Sequence, residues 1–322
     1  MSARRRTLGW RLLRAALSVL GISAVLFTVL AVAPGDPLSE LVMRPDVPPE
    51  VRHQLLHRYG LDQAPGWRYL AWLGSLLQGD WGWSYASHTD VRQLIGQRLP
   101  VTLAIVGGSQ LLAIAVALPL GLKAGLAPGS AFDRSVSACA YLGYALPSFF
   151  TGLLLILLFS IQLDWLPFVY RTDLPQVGLA RVIEQVRQSL MPMLVLASFQ
   201  AATWLRHVRS AVLDVGRLDH VRLARSKGLP ESLVIRRHVL PNALIPLVTL
   251  LALQLPVVFG GAIVTEQIFR VPGIGALLVD SVLRNDTPVL LAITFMLAIL
   301  VVLANLVADL AYGWLDPRIA AR

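Results

Sequence analysis

The side chains best suited to covalent or metal chemistry in this 322-residue chain are six histidines, one cysteine and 19 carboxylates, and their spacing withholds that chemistry. His53 and His57 stand four apart, about one helical turn, but His53-Gln54-Leu55-Leu56-His57 lacks the glutamate of a zinc protease motif and has no third ligand nearby. A solvated helix face accounts for the pair, and no metal site is expected. Intramembrane hydrolysis would need a serine with a histidine, or paired aspartates, inside an apolar segment. None of the six histidines falls in one. A Gly-x-x-x-x-Gly-Lys-[Ser/Thr] phosphate loop is also missing, so the chain has no recognisable means of using ATP. Cys139 lies inside an apolar run, where it reads as a small packing residue. What remains is a patterned basic loop between apolar runs, and the elements that carry it.

Those elements are hydrophobic. The composition is 56% apolar and 15% charged, more apolar than one soluble core requires. A helix needs about 20 apolar residues to cross a hydrocarbon core of about 30 Å. Six stretches meet or approach that length without a charged residue: 15–33, 99–122, 135–163, 188–205, 239–265 and 287–308. The fourth is the shortest and carries Pro192. Arg4, Arg5 and Arg6 before the first stretch imitate a secretory signal, but the apolar run is too long for a signal core, and five further stretches follow. The net charge of +9 is concentrated in particular loops, as membrane topology demands and nucleic-acid binding does not. With the N-terminus inside, 17 basic residues fall on the cytoplasmic side against five in the two short outer loops. Both termini are therefore expected in the cytoplasm, and the long segment 34–98 outside. In that segment 45–59 reads as a short helix, and Tyr69, Trp72, Leu73 and Leu76 fall at helical spacing. That face suits either the membrane interface or packing against the ends of neighbouring spans.

No solenoid repeat, low-complexity tract or linker divides the chain, so 1–322 is expected to form one membrane domain. Its informative loop is 206–241. Residues 206–238 carry eight Lys or Arg against three acidic residues. Asp219 is a candidate N-cap, with Leu218, Val221 and Ala224 on one face of a short helix. Gly228 then suits a left-handed elbow and Pro230 the start of a second helix, on which Leu229, Leu233 and Leu240 form a stripe up to Pro241. A helix, elbow and helix presented to the cytoplasm give a separate motor something to grip; the simpler alternative is a basic loop that only enforces topology. Among polar residues inside spans, Gln110, Gln200, Gln254 and Asn305 are candidates for interhelical bonds or a cavity wall. Gln254, near Pro256, Gly260 and Gly261, is the preferred pathway residue because backbone can bend or approach closely there.

The run from His220 to Leu229, with Leu240-Pro241-Asn242-Ala243 following, resembles the signature loop of permease subunits of ABC importers. Ala224, Gly228, Leu240 and Pro241 match that signature; Arg222 replaces its acidic residue, as in the branch handling peptides and nickel. Pro34-Gly35-Asp36-Pro37, Tyr59-Gly60-Leu61-Asp62, Gly79-Asp80-Trp81-Gly82, Arg98-Leu99-Pro100-Val101-Thr102-Leu103, Glu266 to Gly275 and Asp316-Pro317-Arg318 resemble the same branch in order and spacing. Within it, the long segment after the first span is similar to the B-type dipeptide and oligopeptide subunit.

The resemblance implies an all-α membrane permease of about six spans in the bacterial inner membrane, working by alternating access without a cofactor of its own. It implies as partners a second permease, two ATPase subunits that bind ATP and Mg, an extracytoplasmic substrate-binding protein and the lipid bilayer, with no nucleic acid. ATPase coupling is assigned on it to Arg222, Ala224, Gly228, Leu229, Leu240 and Pro241, with Ala224 and Leu229 as contacts. The pathway is assigned to Gln254, Gly260 and Gly261, and an outer gate to Glu266, Pro272, Gly273 and Gly275, in an expected ordered turn whose backbone Pro272, Gly273 and Gly275 set, Gly273 through a positive φ that a β-branched residue resists. An ion-coupled secondary transporter or an intramembrane enzyme is the alternative. The former would show internal repeats and ionisable residues at mid-membrane.

Overall fold

A computed structural model describes residues 2–32, 48, 50–51, 63–175 and 177–315. The expected helix at 45–59, with His53 and His57, and the motifs at 34–37, 59–62 and 316–318 lie outside the described residues, in whole or in most part. Helices dominate: α1 Ser2–Val32, α2 Pro65–Leu77, α3 Val91–Leu126, α4 Ala131–Ala145, α5 Ser148–Leu155, α6 Leu179–Gly216, α7 Asp219–Ser226, α8 Glu231–Val234, α9 Leu240–Ile268, α10 Ile274–Leu283 and α11 Thr287–Leu315. The β pairing among the described residues is one isolated bridge, Trp83 to Asp90. Gly9–Leu30, Val91–Leu126 and Thr287–Val307 are long and apolar enough to cross a membrane. The third expected span is broken: α4 and α5, the latter prolonged by a π turn over Ile156–Gln162, meet at 102°. Pro147 explains the break, because a proline disfavours helical backbone in the residue before it, and Leu146 is extended at ψ 127°. Helices α6 and α9, of 38 and 29 residues, contain the fourth and fifth expected stretches. At 1.5 Å per residue α6 is about 57 Å long. It continues to Gly216, beyond the expected end at Leu205, and passes through Pro192 without interruption.

The chain divides into two compact units, 1–100 with 276–306, and 101–275 with 307–322. In the first, the aromatic face of α2 packs inward: Tyr69 and Trp72 meet Phe27 at 5.6 and 5.9 Å between ring centroids, and Trp72 meets Phe295 at 5.5 Å. The Tyr69 hydroxyl shares a 2.8 Å hydrogen bond with Ser23 Oγ. Of the two readings of this face, packing against neighbouring spans is the one observed. The loop before α3 is tied to buried Asp286, whose carboxylate accepts from Ser84 Oγ, Tyr85 N (3.0 Å) and Ala86 N (3.3 Å).

In the second unit α6 is the central helix, packed on α4, α5 and α9. Gly121 and Gly125, one helical turn apart on α3, lie against it so closely that an added Cβ would meet Val208 Cβ and Val212 Cβ at 2.8 Å each. Small residues at this spacing let helix backbones approach where lipid supplies no hydrophobic drive. A bidentate pair of Arg209 with buried Asp133, at 2.5 and 2.7 Å, joins α6 to α4. Ser130 caps α4 by accepting from Asp133 N.

Candidate functional site

The elbow forms as the glycine and proline signals suggest, with shifts of detail. Leu218, extended at φ −69° and ψ 149°, occupies the N-cap of α7, and Asp219 begins the helix beside the positive dipole end. Gly228 has φ +75°, and its N–H donates to Arg225 O at 2.9 Å. Open space surrounds the position where its Cβ would stand. Its need for glycine is thus conformational, about 1–2 kcal/mol for a side chain in left-handed backbone. Pro230 is the N-cap of α8. The buried stripe there is Val234 and Val239, while Leu233 is exposed and Leu229 and Leu240 are half-buried. The cause is a π turn over Ile235–Val239, whose i to i+5 bonding brings residues five apart onto one face.

Ala224 corrects an expectation. With Val221 it is buried in a core shared with Val208 and Val212 of α6 and with Val234 and Val239. It supports α7 from beneath and offers no surface. The outward face presents Arg222, Leu223 (56% exposed), Gly228 and Leu233. Leu240 and Pro241 open α9 with no break after the π turn, so the elbow's second arm runs into the long helix.

Sequence spacing did not reveal the clasp across this elbow. Arg225 grips Glu231 through Nε to Oε2 (3.2 Å) and Nη2 to Oε1 (2.7 Å), and its Nη1 reaches Gly216 O at 3.3 Å. The guanidinium's hydrogen bonds hold the Glu231 carboxyl below its ordinary value. Both side chains are about half exposed, so the pair contributes only about 0.2–1 kcal/mol, and its consequence is geometric. The signal available in sequence was an arginine and a glutamate flanking the Gly-Leu-Pro turn.

The turn at 266–275 is ordered as expected, by a different cause at Gly273. Its φ lies outside the left-handed region, where Arg270 sits at +54° instead. An added Cβ at Gly273 would stand 2.1 Å from Glu266 Oε1, and one at Gly275 would meet Ile263 Cα at 2.6 Å. Close approach, not positive φ, demands the glycines. Glu266 is 1% exposed and accepts from Thr102 Oγ1 at 2.6 Å, and Thr102 Oγ1 in turn accepts from Ile274 N at 2.8 Å. Pro272 leads into this clasp, and Phe269 O receives Tyr170 N at 3.1 Å.

A cavity of about 310 Å³ lies in the notch of the α4–α5 break, lined by Tyr144 to Ser148, Val195, Leu196, Phe199 and Gln200 of α6, and Val257, Val258 and Gly261 of α9. Gly261 is therefore a wall residue. Gln254 and Gly260 are not among the lining residues. Gln200 is among them: it is buried, its Nε2 donates to Ser109 Oγ at 3.0 Å, and its Oε1 lacks a hydrogen-bond partner. Ser109 spends its own proton on Val106 O at 2.7 Å, which fixes the amide orientation. That Gln200 and not Gln254 lines this cavity depends on where α5 turns away, which the sequence does not mark.

These features describe a multi-pass helical membrane protein with a helix-elbow-helix continuous with a cavity-lining helix, which is the class of transport permeases. The family model described as binding-protein-dependent transport system inner membrane component matches residues 117–321, and the chain belongs to that family. It is 38% identical to the oligopeptide transport system permease protein AppB of Bacillus subtilis, over 94% of this chain and 95% of that one. It is 37% identical to the di/tripeptide permease protein DppB of Pseudomonas aeruginosa, over 93% and 94% of the two chains. It is 34% identical to the dipeptide permease protein DppB of Escherichia coli, with the same coverage. The chain is thus a multi-pass inner-membrane permease component.

Proposed function

We propose that this chain forms one wall of the transmembrane pathway of an ATP-driven peptide importer, with both termini and the 206–241 loop in the cytoplasm and 34–98 outside. A second permease supplies the opposite wall, two ATPase subunits bind ATP and Mg and supply energy, and an extracytoplasmic binding protein delivers substrate. The chain itself performs no catalysis and holds no cofactor. The observation that carries this reading is the elbow whose second arm is continuous with α9, a helix that also lines the cavity. Its exposed face, Arg222, Leu223, Gly228 and Leu233, receives the ATPase; Ala224, Leu229, Leu240 and Pro241 transmit the motion. Gln200 and Gly261 line the pathway, and Glu266 with Pro272, Gly273 and Gly275 holds the outer turn. Relatives named for oligopeptides and dipeptides support a peptide substrate. The test is uptake into proteoliposomes holding the full complex. Peptide should accumulate with ATP and its binding protein, and uptake driven by an ion gradient without ATP would reject the reading in favour of a secondary transporter.

A further inference from the structure

A single guanidinium touches three successive helices. Arg225 sits on α7, grips Glu231 at the start of α8 by two hydrogen bonds, and donates to the carbonyl of Gly216, the last residue of α6. Beneath it, the buried faces of α7 and α8 share one core with α6. The elbow between the arms has one left-handed joint, Gly228, with open space where its Cβ would stand. The buried core holds the two arms from beneath, and Arg225 ties them together on the exposed side, so that a push on the exposed face is carried to the long helices with less bending at Gly228. We infer that Arg225 is a positioning residue, a clamp that makes α7 and α8 one rigid piece so that a push on the elbow moves α6 and α9 together. Those are the helices that supply Gln200 and Gly261 to the cavity wall. A planar fork is suited to this task, because it holds carboxylate oxygens and a carbonyl in fixed directions where a lysine ammonium is a point charge.

The inference rests on the transport reading above and goes beyond it: coupling reaches two helices, and its fidelity depends on one clasp. The experiment uses the reconstituted complex with its binding protein and measures peptide taken up per ATP hydrolysed. Arg225→Gln and Glu231→Gln should each lower that ratio measurably, by up to about five-fold, while the complex assembles and hydrolyses ATP. Arg225→Lys should fall between them and the parent. The exchange Arg225→Glu with Glu231→Arg should recover part of the loss, since the pair is restored though the Gly216 contact is not. Unchanged ratios in both single variants, or an exchange no better than the singles, would overturn the clamp. Hydrogen exchange over 217–239 gives a second readout: faster exchange in Arg225→Gln supports the clamp, and parental protection overturns it. A parent complex without ATP-driven uptake would fail the transport reading itself, and the exchange measurement would then decide the clamp alone.

Discussion

Replacing Gly273 by alanine puts a methyl carbon 2.1 Å from Glu266 Oε1 and 2.2 Å from its Cδ, where carbon contacts are ordinarily about 3.5–4.0 Å. An exposed glutamate would swing aside at little cost. Glu266 is 1% exposed and held by Thr102 Oγ1, so relief requires either leaving that buried hydrogen bond unmade, about 1–3 kcal/mol, or moving backbone, also about 1–3 kcal/mol. Gly275 is a control with a different obstacle, because its Cβ would meet the Ile263 Cα at 2.6 Å, which no side-chain change removes. Equilibrium unfolding in mixed micelles, applied to a double-mutant cycle, separates the two. Gly273→Ala should cost about 1–3 kcal/mol in the parent and close to nothing further in a Glu266→Ala background. Gly275→Ala should cost as much or more, and keep most of that cost beside Glu266→Ala. An equal penalty for Gly273→Ala in both backgrounds would refute the account of the turn as a carboxyl packed on glycine backbone.

Other perturbations follow from the same geometry. Gly228→Asn should impair uptake less than Gly228→Val, because asparagine tolerates left-handed backbone and the site has room, whereas equal defects would point to steric docking as the glycine's purpose. Gly125→Val drives branched atoms into Val212 and the Arg209 carbonyl, 2.8 and 2.9 Å from where even its Cβ would stand, and should lower folded yield by separating α3 from α6. The Glu231 carboxyl is held below its ordinary 4.5, so the elbow clasp is fully formed above that pH and is lost only as pH falls through the depressed value; amide protection over 217–239, taken relative to the intrinsic exchange rate at each pH, should stay constant from pH 7 to 5 and fall in stronger acid. In a Cys139→Ala background, cysteines at Ser87 and Ser226, both exposed, should label from opposite sides of the membrane, and labelling of both from outside would sink the topology.

Much of the helical plan was legible because crossing lipid imposes a long apolar run, and the elbow because glycine and proline mark backbone that other residues resist. What escaped depended on three-dimensional neighbours. A bidentate Asp133–Arg209 pair joins residues 76 apart, and Asp286 organises a loop some 200 positions earlier; nothing local marks either. The π turn at Ile235–Val239 shifts the buried face from the leucines to Val234 and Val239, a phase change that ordinary helical spacing cannot anticipate. Gln254 and Gln200 look alike in sequence, each an amide well inside an apolar stretch. Only the 102° break at Pro147 places the cavity beside Gln200. At Gly273 the residue was singled out for the wrong property, since φ and close approach leave the same glycine in a sequence.

We propose that the elbow face receives the motor subunits. It is tested most directly by placing the photo-crosslinking residue p-benzoylphenylalanine singly at Leu223, exposed on that face, and at Ser87, exposed in the other unit, within the assembled complex in native membranes. Illumination should join position 223 to an ATPase subunit and should not join position 87 to one. Adducts with the ATPase at position 87, or their absence at 223 in complexes that transport normally, would contradict the account.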